Sequence, residues 1–242
     1  DKERIRQTFL NFICLHIKVI CYMKALILSA GFGTRLKPLT DTTPKALIQY
    51  KGKPLIVHQI EKLKSIGINE IVVNVHHLKE KIIDFFDSND FGIKVNISDE
   101  EEILGTGGGI INAEKFFKDE TYFLVVNADI ISDVDISKFI RSHSQDNFAT
   151  LAVQKRKTSR YLEFDEEMNL IGRANEKSHK DNLYAFNAMH VISQDIFKSG
   201  YKAEFKDIIE IYLEELQKGK TIKGYDVGAA EFKDIGKHKN LN

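Results

Sequence analysis

From Met23 onward, short β-branched apolar runs alternate with stretches whose apolar residues recur at helical spacing. Ala25 to Ser29 reads as a buried strand. After Pro54, a residue tolerated at the first helical position, Leu55, Ile56, Ile60, Leu63 and Ile66 mark one helix face, and Gly67 supplies a stop. Glu70 to Val75 is the next strand, a helix follows through Ile82, Ile83 and Phe86, and Ile93 to Ile97 and Tyr122 to Val126 read as further strands. Strands joined by helix-length crossovers predict an α/β fold, a single-domain Rossmann-like three-layer sandwich whose central sheet is mostly parallel and covered on both faces. Beyond Ala149 the rhythm changes. Ala149 to Gln154, Tyr161 to Phe164, Leu170 to Gly172 and Ala185 to Ile192 are strand-like with short connections; Ile208 to Leu216 is helical and Thr221 to Tyr225 a last strand. This half is expected to extend the same sheet and carry substrate-specific loops.

Composition narrows the function classes. The chain has 242 residues, 43% hydrophobic and 29% charged, and no Pro-, Ser- or Gly-rich linker divides it. That predicts one domain over residues 23–242. Lysine plus arginine balance aspartate plus glutamate at 35 each. The absence of a basic excess argues against nucleic acid as main partner, whereas small phosphorylated ligands need only a few local cations. Both cysteines, Cys14 and Cys21, precede Met23, so the domain holds neither a disulfide framework nor a thiolate metal site, which fits a cytoplasmic location. Residues 1–22 contain an apolar run from Phe9 to Cys21, but Asn11, His16 and Lys18 interrupt it and it is too short to span a bilayer. They are expected to be a non-native or upstream-translated extension, with no membrane role.

The candidate chemistry begins where the first strand ends, in Ala30-Gly31-Phe32-Gly33-Thr34-Arg35-Leu36-Lys37-Pro38-Leu39-Thr40. Glycines just past a strand let backbone N–H groups approach a phosphate, and Arg35 adds a guanidinium fork suited to its oxygens. Leu36-Lys37-Pro38 does not supply the G-K-[ST] of a P-loop, and Leu36 stands where a dinucleotide fingerprint needs glycine or alanine. Two glycines alone would fit an ordinary tight turn equally well. Gly105-Thr106-Gly107-Gly108-Gly109, expected as a loop ahead of a helix from Asn112 to Phe117, is a second place for close backbone approach, or else a flexible connection. Asp129 follows the strand Phe123 to Val126, at the strand end where open α/β sheets bind ligands. A carboxylate there suits magnesium, although aspartate also initiates turns.

The combination Gly31-Phe32-Gly33-Thr34-Arg35-Leu36, Pro38-Leu39-Thr40 and Pro44-Lys45 resembles the signature of the sugar nucleotidyltransferases, over nearly the whole chain from Met23. It is most similar to short bacterial members such as N-acetylmuramate-1-phosphate uridylyltransferases and proteins described as mannose-1-phosphate guanylyltransferases. The resemblance implies a magnesium-dependent enzyme that joins a nucleoside triphosphate, UTP or GTP, to a sugar 1-phosphate with release of pyrophosphate, acting as a monomer or small homo-oligomer. It implies that Ala30, Gly31, Gly33, Thr34, Arg35 and Lys45 hold the triphosphate and that Thr106, Gly107 and Gly108 lie against the base. Arg35, Lys45 and Asp129 are then the catalytic residues, and Asp129 with Asp234 the Mg²⁺ ligands. The sugar is expected around Arg160, Glu176 and Asn187. Here the chain departs from the pattern: Ala188 replaces a glycine and Arg173 stands where tryptophan is frequent, which leaves the sugar open.

Other features take plainer readings. His76 and His77 point to opposite faces if the strand persists through them; no third ligand has a spacing suited to zinc, and a base or phosphate contact at the crevice edge stays open. Asp99 to Glu102 reads as a solvated acidic turn, and Tyr184 and Phe186 as core aromatics. Two rival functions remain at this level: transfer to another phosphate such as phosphocholine, and a catalytically idle nucleotide-sugar-binding regulator, which retention of all four charged residues disfavours.

Overall fold

The computed structural model describes residues 23–236; the expected N-terminal extension lies outside the described residues. In chain order the first half runs β1 (Ala25–Leu28), α1 (Leu39–Thr42), the short strands β2 (Gln49–Tyr50) and β3 (Lys53–Pro54), α2 (Leu55–Ser65), β4 (Glu70–Val75), α3 (Lys79–Asp87), β5 (Lys94–Asp99) and α4 (Gly105–Asn112). The second half continues with β6 (Tyr122–Asn127), β7 (Ile130–Ser132), α5 (Ile136–Arg141), β8 (Ala149–Gln154) and β9 (Tyr161–Phe164). It ends with β10 (Leu170–Arg173), β11 (Leu183–Ser193), α6 (Ile208–Gln217), β12 (Ile222–Asp226) and β13 (Phe232–Asp234).

The main sheet has the order β10-β9-β11-β6-β1-β4-β5, with β8 also paired to β11 and β12 to β8. β5, β4, β1 and β6 are mutually parallel, whereas β11 runs antiparallel to β6, β8 and β9. The parallel part is therefore the centre and the antiparallel part the extension expected from the shorter connections. Successive residues of β1 serve opposite faces, as the pleat requires. Ile27 packs with Ile56, Ile60 and Leu63 of α2 and Phe139 of α5, and Leu26 with Ile110 of α4 and Ile211 and Tyr212 of α6. Three layers result.

One element differs from the sequence-based expectation. The glycine run is not a loop ahead of a helix; it is itself α4, and only a short 3₁₀ turn, Glu114–Phe116, follows. The reason is packing. A methyl group on Gly108 would overlap the Glu204 carbonyl oxygen, and one on Gly107 would lie 2.8 Å from Ile211 Cδ1. Glycine here lets a helix approach the segment entering α6 too closely for any side chain. The gain from that approach outweighs the poor helix propensity, roughly 1 kcal/mol per glycine.

Candidate active site

The parallel strands end at a crevice containing two contiguous cavities, of about 310 and 560 Å³. Leu28, Arg35, Thr106, Asn127 and Asp129 line both. The smaller lies over the end of β1, beneath the glycine loop. Ser29 leaves the strand with its N–H donating to Asn74 Oδ1 at 2.6 Å. Gly33 has φ 63°, the left-handed region where glycine is unstrained, and begins a 3₁₀ turn over Thr34–Leu36. A methyl on Gly33 would lie 2.7 Å from Thr40 Cγ2 and 3.2 Å from Lys45 Cβ, so this position is closed to any side chain. Gly31 is different. A methyl there would meet no atom within 4 Å, so nothing in the protein itself requires glycine, and its bareness leaves the cavity open. Phe32, at the tip, packs against both His76 and His77, with ring centroids 5.6 and 5.4 Å away. The strand stops at Val75, so the two histidines do not face opposite ways; together they buttress the loop.

The charged groups converge from four chain segments. The Lys45 ammonium donates to Asp129 Oδ2 in an ion pair whose side chains are 14% and 17% exposed, so this pair is largely withdrawn from solvent. Arg35 and Asp234 pair at 3.4 Å and are more open, at 54% and 31%. Asp129 and Asp234 are neighbours on a separate two-stranded ribbon: β13 pairs antiparallel with β7, Asp234 opposite Ile130, and Ile235 N–H donates to the Asp129 carbonyl at 2.9 Å. The carbonyls of β7 accept from Gln59 and Lys62 of α2, which fixes the ribbon to the central layer. A small apolar cluster makes the second join. Leu36, next to Arg35, and Ile235, next to Asp234, are both fully buried in it with Leu55. Gly236 completes the site. A methyl there would lie 2.5 Å from an Arg35 guanidinium nitrogen, 2.6 Å from Asp234 Oδ1 and 2.8 Å from Lys45 Nζ, so three charged groups close on one bare backbone position.

At the inner wall the acidic turn departs from expectation. Glu100 is buried rather than solvated, 1% exposed, and burial raises its carboxyl above the usual range. Its oxygens accept from Asn74 Nδ2 at 2.7 Å and from Leu104 N–H at 3.1 Å. Glu100 was missed in the sequence because its neighbours Asp99, Glu101 and Glu102 are exposed and mask it. Of the three residues expected against the base, Thr106 lines both cavities, and its hydroxyl caps α6 by accepting from Ile208 N–H. Gly107 and Gly108 do not reach the cavity; their N–H groups donate to the Lys206 carbonyl. They act through packing.

The larger cavity continues over the antiparallel strands, lined by Arg156, Arg160, Arg173, Phe186, Ala188 and His190 among others. Ala188 sits in a bulge of β11, at φ 53°, where the register with β8 shifts between Phe186 and His190. That left-handed backbone explains why glycine suits this position. Tyr184 and Phe186 are partly buried against the core, as expected, but Phe186 also faces the cavity. The two expected sugar ligands fall elsewhere. Asn187 is buried behind the wall, its Oδ1 accepting from Arg156 Nε at 2.9 Å, and Glu176 is exposed in the turn after β10, lining neither cavity. His190 is enclosed, shares a hydrogen bond with the Tyr212 hydroxyl and is held neutral by burial, which pushes its pKa down to about 3.

Known proteins share this fold and place the chain in a family. Residues 24–242 match the family described as nucleotidyl transferase. A probable mannose-1-phosphate guanylyltransferase 1 of Oryza sativa subsp. japonica is 42% identical over 139 residues, 55% of this chain and 38% of that protein. A mannose-1-phosphate guanyltransferase of Yarrowia lipolytica is 39% identical over 137 residues, with the same shares. The chain thus matches little more than a third of the length of these curated relatives. Among solved structures, HddC of Yersinia pseudotuberculosis is 26% identical with a TM-score of 0.76, covering 90% of this chain and 96% of that one. The inositol-1-phosphate CTP transferase of T. maritima, 20% identical with a TM-score of 0.73, shares the fold over 90% of this chain and 91% of its own. Fold, glycine loop and converged charges lead to the same conclusion: the chain belongs to the nucleotidyl transferase family.

Proposed function

We propose that this protein transfers a nucleoside monophosphate from a nucleoside triphosphate to a sugar 1-phosphate and releases pyrophosphate. The observation that carries this reading is the gathering of Arg35, Lys45, Asp129 and Asp234 around Gly236, where the two contiguous cavities meet.

The chemical problem is that two anions must meet, so catalysis depends on positioning and on charge stabilisation. The glycine loop, bare at Gly31, receives the triphosphate. Lys45, already directed at the shared mouth, neutralises charge on the α-phosphate as an acceptor oxygen attacks its phosphorus. Arg35 then stabilises the leaving group as the bond to the bridging oxygen of the β-phosphate breaks, and pyrophosphate departs. No covalent intermediate with the protein is required. Asp129 and Asp234 fit magnesium, because both bring hard oxygen donors to the wall of one cavity and that ion takes one or two carboxylates plus phosphate oxygens. Among the described residues no group of three or more metal-type side chains occurs, so phosphate and water oxygens would complete the shell. Bound there, the ion would supply charge neutralisation between the two phosphates.

Relatives named as guanylyltransferases favour GTP over UTP. The test is pyrophosphate release with GTP, UTP, CTP and ATP against a panel of sugar 1-phosphates, with the nucleotide sugar identified by mass. Release with GTP and at least one sugar 1-phosphate is expected. Activity with phosphocholine alone, or nucleotide binding without release, would refute the reading.

A further inference from the structure

Three guanidiniums, of Arg156, Arg160 and Arg173, line the larger cavity, and their surroundings differ. Arg156 is committed to the protein. Its Nε and a terminal nitrogen donate to Asn187 Oδ1 and the Phe186 carbonyl, and its carbon stands 3.9 Å over the Phe232 ring. Arg160 and Arg173 are not. Neither guanidinium has an ion-pair partner among the described residues. They come from one hairpin: Arg160 immediately precedes β9, and Arg173, the last residue of β10, pairs with Leu162. The carboxylates lining the same cavity are otherwise engaged. Asp129 pairs with Lys45, Asp234 with Arg35, and Asp207 caps α6 through Ile209 N–H.

Arginines exposed on a convex surface are ordinarily just solvated. Here like charges are gathered on a concave wall beside Leu162 and Phe186, an arrangement that repels itself and concentrates field in the cavity. Position then says what they are for. Asp129 follows β6, and β9 lies beyond β11, two strand spacings or roughly 10 Å across the sheet. An acceptor whose 1-phosphate reaches Lys45 and Asp129 therefore extends its sugar toward the hairpin. We propose that Arg160 and Arg173 form a second anion subsite, and that the preferred acceptor is a sugar 1-phosphate bearing a further negative group, a carboxylate or a second phosphate, on the side of the ring away from C1. Guanidinium forks match both groups bidentately. This rests on the larger cavity being the acceptor site of the proposed transfer.

The test compares kcat/KM of the full chain, at saturating GTP and Mg²⁺, for glucose 1-phosphate and mannose 1-phosphate against glucose 1,6-bisphosphate and glucuronic acid 1-phosphate. At least one doubly anionic acceptor is expected to exceed its neutral parent by about tenfold or more, the range of a charge-assisted contact, chiefly through KM. The bisphosphate and the uronate tell the two anions apart. In Arg160→Ala/Arg173→Ala that ratio should fall to near one, and Arg160→Lys/Arg173→Lys should restore part of it. Equal use of neutral and charged acceptors by the wild-type protein would overturn the subsite while leaving nucleotidyl transfer intact. So would a ratio that the double alanine variant leaves unchanged, or equal losses on every acceptor, the sign that these arginines hold the 1-phosphate. Turnover of no acceptor with any nucleotide would overturn the proposed transfer as well.

Discussion

Lys45 and Asp129 hold each other in place, and each makes a separate demand on the other's position. Replacing Lys45 by alanine removes the one ammonium that lines the smaller cavity among the described residues and leaves a partly enclosed carboxylate unbalanced. The expected result is a fall in kcat of roughly a hundredfold or more with the circular dichroism spectrum unchanged, the scale on which a preorganised charge acts in a transition state. Gly236→Ala tests the same convergence from the backbone. A methyl must displace Arg35, Asp234 or Lys45, so steady-state kinetics should show a loss in kcat larger than any loss in stability. That these four charged residues meet was legible in the sequence, Arg35 and Asp129 from their places just past strand ends, Lys45 and Asp234 through the family resemblance. Gly236 and Glu100 were not, because their significance comes from what surrounds them in space. Glu176 and Asn187 show the converse: a residue type suited to sugar binding is no guide to where its side chain lies.

At the scale of elements, two joins decide whether the site assembles. One is the small cluster that buries Leu36 beside Ile235. Ile235→Ala should cost about 2–5 kcal/mol of unfolding free energy in urea titrations and also weaken catalysis, since the same side chain tethers the strand bearing Asp234. The other is the contact of α4 with the segment before α6. Gly108→Ala forces a methyl onto the Glu204 carbonyl and is expected to destabilise by at least about 1–3 kcal/mol, although alanine is the better helix former. If thermal denaturation instead showed Gly108→Ala to be as stable as wild type, the packing explanation for the glycine run would be wrong. The parallel strands and long helices were readable from apolar periodicity. The helical state of 105–112 was not, because local propensity opposes it and only a tertiary contact overrides it. Nor was the β7–β13 ribbon, whose strands are short and lie about a hundred residues apart in the chain, where no local pattern links them.

The molecule as a whole depends on pH through its buried histidines. Burial lowers His190 to about 3 and His143 to about 4. In the unfolded chain both take up a proton near pH 6.5, so below that value the unfolded state binds more protons and stability falls. A fully buried, neutral histidine such as His190 contributes a slope of about 1.4 kcal/mol per pH unit, and the partly buried His143 adds to it in the same direction. Glu100 and Glu120, raised by burial, act in the opposite direction nearer the carboxylate range, because the folded state takes up their protons first. The urea midpoint is therefore expected to decline from pH 6.5 to 5.0; a midpoint constant over that interval would contradict neutral burial of the histidines.

Pyrophosphate release in the presence of GTP, Mg²⁺ and a sugar 1-phosphate, measured on wild-type protein beside Asp129→Asn, tests most directly whether the converged charges perform nucleotidyl transfer. Wild type is expected to release one pyrophosphate per nucleotide sugar formed, only when all three components are present, while folded Asp129→Asn is slower by roughly a hundredfold or more. Equal rates from the two proteins, or release from GTP without a sugar phosphate, would contradict it.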